Sequence, residues 1–184
     1  LSLTGGVLRE NVARVSGGGL YASDWLTVTA VDFISNTAQS TKSPSSDGGG
    51  GLYAVMTATV TSVLFQGNAA EYVGGGMRAE QAVVIVTSDF LSNTAANETG
   101  AAHIIGAAVI TGTTFSGNRA AGYGALQVSD DAEISNSLFQ YNAATGAGGE
   151  AGGARIFGTA LLTDVQFISN TAAYGGALLL NGGQ

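Results

Sequence analysis

The chain has 184 residues, 45% of them apolar and only 10% charged, a balance that excludes a disordered polymer. Thirteen acidic against six basic residues give a net charge of −7, and no Lys/Arg cluster exists to neutralise phosphates, so nucleic acid and anionic membrane surfaces are poor partners. With no cysteine there is neither disulfide nor thiol chemistry, a single histidine removes most metal clusters, and no run reaches the roughly 20 apolar residues of a bilayer span.

In chain order, a weak unit comes first, with Leu3-Thr4 followed by Leu8, Asn11 and Ala13. Gly17-Gly18-Gly19 then leads to Leu20, Val28-Thr29, Phe33, Asn36 and Ala38. After an insertion at 39–47 the order recurs: Gly49-Gly50-Gly51, Leu52, Val60-Thr61, Phe65, Asn68 and Ala70. The third full copy carries Gly74-Gly75-Gly76, Met77, Ile85-Val86, Phe90, Asn93 and Ala95. The fourth weakens the glycines to Gly100-Ala101-Ala102 before Ile110-Thr111, Phe115, Asn118 and Ala120, and the fifth has Gly124-Ala125-Leu126, Ile134-Ser135, Phe139, Asn142 and Ala144. A second insertion, 145–151, precedes Gly152-Gly153-Ala154, which reads about one residue out of step, then Leu162-Thr163, Phe167, Asn170 and Ala172. Gly175-Gly176-Ala177-Leu178 opens a further copy with no phenylalanine after it, so a longer protein cut within repeats at both ends is expected.

Asparagine spacings of 25, 32, 25, 25, 24 and 28 define a unit of 24 to 25 residues, with the excess in the two insertions, read as surface loops at one corner. Each unit holds three short β-like runs, for instance around Leu126, Ile134 and Phe139, and no helical period. A unit this small cannot bury an apolar face alone, so the copies must stack. The expected fold is all-β, a right-handed parallel β-helix of about seven rungs, rather than an antiparallel sandwich with glycine-rich turns. Phenylalanines then form an internal ring ladder, and asparagines take a left-handed turn position while bonding along the stack. The alanines fit a tight corner and the glycines supply positive φ at another.

F-x-x-N together with G-G-A and an aliphatic residue, seen as Phe167-Ile168-Ser169-Asn170 and Gly175-Gly176-Ala177-Leu178, resembles the paired signature of the chlamydial polymorphic membrane proteins. The resemblance covers essentially the whole chain, which departs from the signature in lacking cysteine and in having GGG in three rungs. It implies an autotransporter passenger: a β-helical stalk exported across an outer membrane and used in adhesion.

Polysaccharide lyases and hydrolases also use this coil, so a catalytic cluster is worth seeking; it requires carboxylates converging on one face. Asp32 and Asp89 share a column but sit two rungs apart around Leu64, and Asp130, Asp131 and Glu133 read as a solvated turn. No catalytic group, cofactor or metal is therefore expected. Tyr21, Tyr53, Arg78, His103 and Arg155 fall in one column, read as outward-facing, with Gln127 between; they form a candidate glycan or protein contact strip. Thr27/Thr29 and Thr59/Thr61 suggest an ice-binding array, which breaks at Val84/Val86. Val84, Val86, Val109 and Leu161 instead make an outward aliphatic face expected to pack on another chain or domain. Asn97-Glu98-Thr99 is the one glycosylation sequon.

These residues point to a non-catalytic shaft or adhesin, secreted or on the cell surface (an outer membrane if autotransporter-like), contacting other protein chains or a glycan. A carbohydrate-active β-helix enzyme with its site elsewhere and a subunit of an extracellular filament are the alternatives.

Overall fold

Strand-forming triplets separated by turn residues, repeated at a near-constant period, leave the chain one way to pair its backbone: each turn against the next. A computed structural model describes residues 1–40 and 47–181, and within them the chain is an all-β right-handed parallel solenoid of about seven turns. Four parallel sheets run along it. The aliphatic sheet contains strands such as Val83–Val86, the phenylalanine sheet Asp89–Leu91, the alanine sheet Thr94–Ala95 and the glycine-corner sheet Met77–Ala79. Three runs per unit were legible in the sequence; the two-residue alanine strand is too short for alternation to reveal.

Register follows the columns. Phe65 pairs with Phe33 and Phe90, and Ile85 with Val60 and Ile110, so the insertion at 39–47 leaves the ladder unshifted. Most of that insertion lies outside the described residues. The second, at 145–151, closes on itself through Gly149 N–H donating to the Gly146 carbonyl at 2.9 Å. Ala154 pairs with Leu126, so the sixth glycine corner is in register rather than out of step; an alanine merely occupies the leucine column.

Phe33, Phe65, Phe90, Phe115, Phe139 and Phe167 stack with centroids 4.6 to 4.9 Å apart and planes within 7° to 15°. That distance is the strand spacing itself, so the sheet dictates the stacking, and burial of each ring contributes about 1.5–3 kcal/mol. The asparagine ladder is equally regular. Asn68 Nδ2 donates to Phe33 O at 2.8 Å and to Asn93 Oδ1 at 3.0 Å, while Asn68 N also donates to Asn93 Oδ1 at 3.0 Å. The same pattern runs through Asn36, Asn93, Asn118 and Asn142 to Asn170.

The left-handed backbone is not on the ladder asparagines. It falls one residue earlier, on Ser35, Gly67, Ser92, Gly117, Tyr141 and Ser169, and again three residues before each phenylalanine, on Ala30, Ser62, Thr87, Gly112, Asn136 and Asp164. The asparagine side chain must point inward to reach the ladder, so the preceding residue absorbs the turn. The strain of a non-glycine left-handed residue, about 1–2 kcal/mol, is offset by the hydrogen bonds of the stacked rungs.

The glycine corner has two separate causes. The counterparts Thr99, Tyr123, Ala151 and Gly175 of the later corners stay outside the left-handed region, but Gly17, Gly49 and Gly74 adopt positive φ, as expected. Gly50 does not; a Cβ there would lie 2.3 Å from the carbonyl oxygens of both Ala69 and Gly75, so close backbone approach excludes any side chain. A buried hydroxyl ladder also appears where Val31 and Val63 stand in other rungs: Ser88, Thr113 and Ser137 each bond a carbonyl two residues back, and they accept from Val63 N, Ser88 N and Thr113 N respectively.

Candidate functional site

Alternation within the glycine-corner strands turns one column away from the core. Tyr21, Tyr53, Arg78, His103, Gln127 and Arg155 follow one another in strict register along it. Only Tyr21 is open to solvent, at 55% exposure; Tyr53, Arg78, His103 and Arg155 are 6%, 2%, 6% and 8% exposed. The expected exposed strip is therefore covered. The segments entering the corners at Gly74, Gly100, Gly124 and Gly152 lie over it, bringing Tyr72, Glu98, Tyr123 and Glu150 onto the column. Pattern reading stops at the strand, and nothing in the alternation says what folds back over it.

Under that cover the polar groups are paired, except Arg155 Nε, which is buried without a hydrogen-bond partner. Tyr53 Oη donates to Glu80 Oε1 at 2.6 Å and Arg78 Nε donates to the same oxygen at 2.8 Å. Thr99 Oγ1 lies 3.2 Å from His103 Nδ1 and donates to Gln127 Oε1 at 3.4 Å, and Glu98 Oε2 stands 3.7 Å from His103 Nδ1. With the Thr99 proton directed to Gln127, the network assigns the ring hydrogen of neutral His103 to Nδ1 and leaves Nε2 as an acceptor. Arg155 Nη1 contacts the Glu150 carboxylate and the Tyr123 hydroxyl, and its guanidinium lies 4.0 Å over the Phe157 ring.

Burial pushes the His103 pKa down to about 3, with Arg78 adding to the depression. Desolvation and the Arg78 charge outweigh the nearby Glu98 carboxylate. Burial raises Glu98, against the pull of Arg78 and Arg155, and raises Tyr53 well above an ordinary phenol, helped by its hydrogen bond to Glu80. Beside this network is a cavity of about 310 Å³ lined by Tyr72, Val73, Arg78, Glu98, His103, Ile105, Gln127 and Ser129.

The second candidate face is exposed as expected: Val84 is 39%, Val109 41% and Leu161 58% exposed, whereas Val86 is half-buried. Glu133 pairs between Val109 and Leu161, so the strip is interrupted by a carboxylate. A shallow cavity of about 320 Å³ opens there, lined by residues including Val109, Asp131, Glu133 and Leu161.

Two of the remaining carboxylates, Asp130 and Asp131, serve turns. Asp130 Oδ1 accepts from Asp131 N at 2.9 Å and Asp131 Oδ1 from Thr159 N at 2.7 Å. Asp32 and Asp89 flank Leu64 in the ladder. Among the described residues no group of three or more His, Asp or Glu side chains is placed to hold a metal ion, and no helix is long and apolar enough to cross a membrane. Asn97 is exposed, so a glycan there would project outward, while Thr99 of the same sequon is fully buried.

Neither a family model, a curated protein nor a solved structure matches this chain. The likeness to polymorphic membrane proteins rests on the repeat residues alone. Sequence reasoning missed the covering residues, although a signal exists: Tyr72, Tyr123 and Tyr174 each stand one or two residues before a glycine corner.

Proposed function

We propose that this chain is a non-catalytic shaft of a secreted or cell-surface protein, giving reach and rigidity and binding a partner through its side. The observation that carries this reading is the contrast between interior and exterior. Phenylalanine and asparagine ladders run unbroken through six rungs, and the other inward columns carry apolar or hydroxyl side chains. Outer columns vary from rung to rung, and of their carboxylates Asp130 and Asp131 cap turns while Glu80 and Glu150 pair with arginine. A shaft of about 30 Å, from seven rungs at the parallel strand spacing, needs only that interior to be stiff. The exposed Val84, Val109 and Leu161 supply apolar area for side contact.

Beads carrying the chain should adhere saturably to cultured cell surfaces, and the double substitution Val109→Glu/Leu161→Glu should reduce that adhesion by about tenfold, equivalent to about 1.4 kcal/mol. Polysaccharide substrates should release no reducing ends. Adhesion unaffected by the double substitution would remove the aliphatic face from the reading, and turnover lost in Asp131→Asn would replace the shaft by an enzyme.

A further inference from the structure

Strands Met77–Ala79, Ala102–Ile104 and Leu126–Val128 deliver Arg78, His103 and Gln127 to one face at successive rungs, about 4.8 Å apart. The chain entering these strands contributes Tyr72, Val73 and Glu98, and the chain leaving them contributes Ile105 and Ser129. The space they enclose, about 310 Å³, is at the small end of ligand pockets.

The geometry points to a saccharide-binding site that takes one neutral pyranose ring of an oligosaccharide. This deepens the binding role proposed above by naming a ligand class for a second face.

Three features select that chemistry. A sugar hydroxyl both donates and accepts, and the cavity offers both functions side by side: an arginine, an imidazole, an amide, a carboxylate and a hydroxyl. A pyranose also has an apolar C–H face, for which Tyr72, Val73 and Ile105 supply an aromatic and aliphatic surface. Third, Arg78 is already paired with Glu80, and Glu98 brings a further carboxylate, so an acidic ligand meets no net positive charge.

Preorganisation favours the same conclusion. Arg78, His103 and Gln127 are 2%, 6% and 7% exposed, with Arg78 held by Glu80, and His103 and Gln127 held by Thr99. Little side-chain entropy remains to be lost on binding, which matters for a ligand that makes mostly hydrogen bonds.

The test is saturation-transfer and amide-shift NMR on the intact chain with methyl glucoside, methyl galactoside, methyl mannoside, N-acetylglucosamine, lactose and cellobiose, against galacturonate and glucosamine as charged counterparts. At least one neutral saccharide should bind and shift the amides of Ile105, Gln127 and Ser129. Gln127→Met and Glu98→Ala should each weaken that binding by about tenfold. Glu98 lies at the partly exposed rim, so Glu98→Ala keeps the fold, checked by an unchanged circular dichroism spectrum. Val109→Glu/Leu161→Glu should leave saccharide binding intact while adhesion falls, which separates the two faces. Binding by the charged sugars alone, by none of the panel, or equally by wild type and both cavity variants would overturn the assignment.

Discussion

Replacing Asn93 by alanine removes the middle of the amide ladder. Asn93 is fully buried; its Oδ1 accepts from Asn68 N and Asn68 Nδ2, both at 3.0 Å, and its Nδ2 donates to Phe65 O at 2.9 Å and Asn118 Oδ1 at 3.0 Å. In the variant, Asn68 Nδ2 keeps Phe33 O and Asn118 Oδ1 keeps Asn93 N, but the buried Asn68 N–H loses its acceptor. An orphaned buried donor costs about 1–3 kcal/mol. The weakened Phe65 carbonyl and the void left by the amide bring the total to about 3–5 kcal/mol. Asn11 provides the internal control: it is exposed, and Asn11→Ala removes one bond to Asn36 Oδ1, which still receives the Asn11 backbone N–H at 3.0 Å, so it should cost at most about 1 kcal/mol. Urea unfolding followed by far-UV circular dichroism measures both. Asn93→Asp sharpens the test, because a carboxylate oxygen would face Phe65 O and Asn118 Oδ1. Burial raises the pKa of that acid in the folded state, so its destabilisation relative to wild type should be small below the ordinary carboxylate value of about 4 and grow above it. Equal costs for Asn93→Ala and Asn11→Ala, or a pH-independent Asn93→Asp, would refute the ladder as a source of stability.

His103 should stay neutral down to about pH 3 in the folded chain, so its ring proton shifts, followed by NMR, should show no midpoint near 6.5. Since the unfolded imidazole titrates near 6.5, the unfolded state binds more protons between the two values. Stability therefore falls as pH drops through that window, and His103→Gln should remove that part of the acid sensitivity. Gly75→Ala puts a Cβ 2.2 Å from Thr94 O and should cost several kcal/mol or prevent folding, whereas Gly67→Ala meets only Ser35 Oγ at 3.6 Å and should cost about 1 kcal/mol. Thermal denaturation of the pair distinguishes close approach from conformational freedom. Phe90→Ala, which opens the centre of the ring ladder, should destabilise by about 3–5 kcal/mol in the same assay.

The column positions were legible because a stacked repeat places identical chemistry at identical depth. Phe90, Asn93 and Ile85 belong to the interior by residue type and period alone. The left-handed residues were not legible in the same way. Ser92 and Thr87 carry the turn strain that their residue types give no reason to expect, because the inward demand of Asn93 and the need to bring Phe90 back to the core fix the backbone around them. Ser88, Thr113 and Ser137 were likewise hidden: a hydroxyl in a column shared with Val63 looks like surface until its carbonyl partner is known.

What the sequence determined by itself was periodic: the parallel solenoid, the rung length, the ring and amide ladders, and an outward Val84, Val109 and Leu161. Each follows from residue type and spacing alone, because a strand's alternation and a stack's repetition are local rules. Only the tertiary structure decided that Tyr53, Arg78, His103 and Arg155 are covered rather than displayed. Their exposure depends on Tyr72, Glu98, Tyr123 and Glu150 folding across from the preceding corner. Burial of an outward column is set by what lies over it, and the period of the column itself contains no record of that cover.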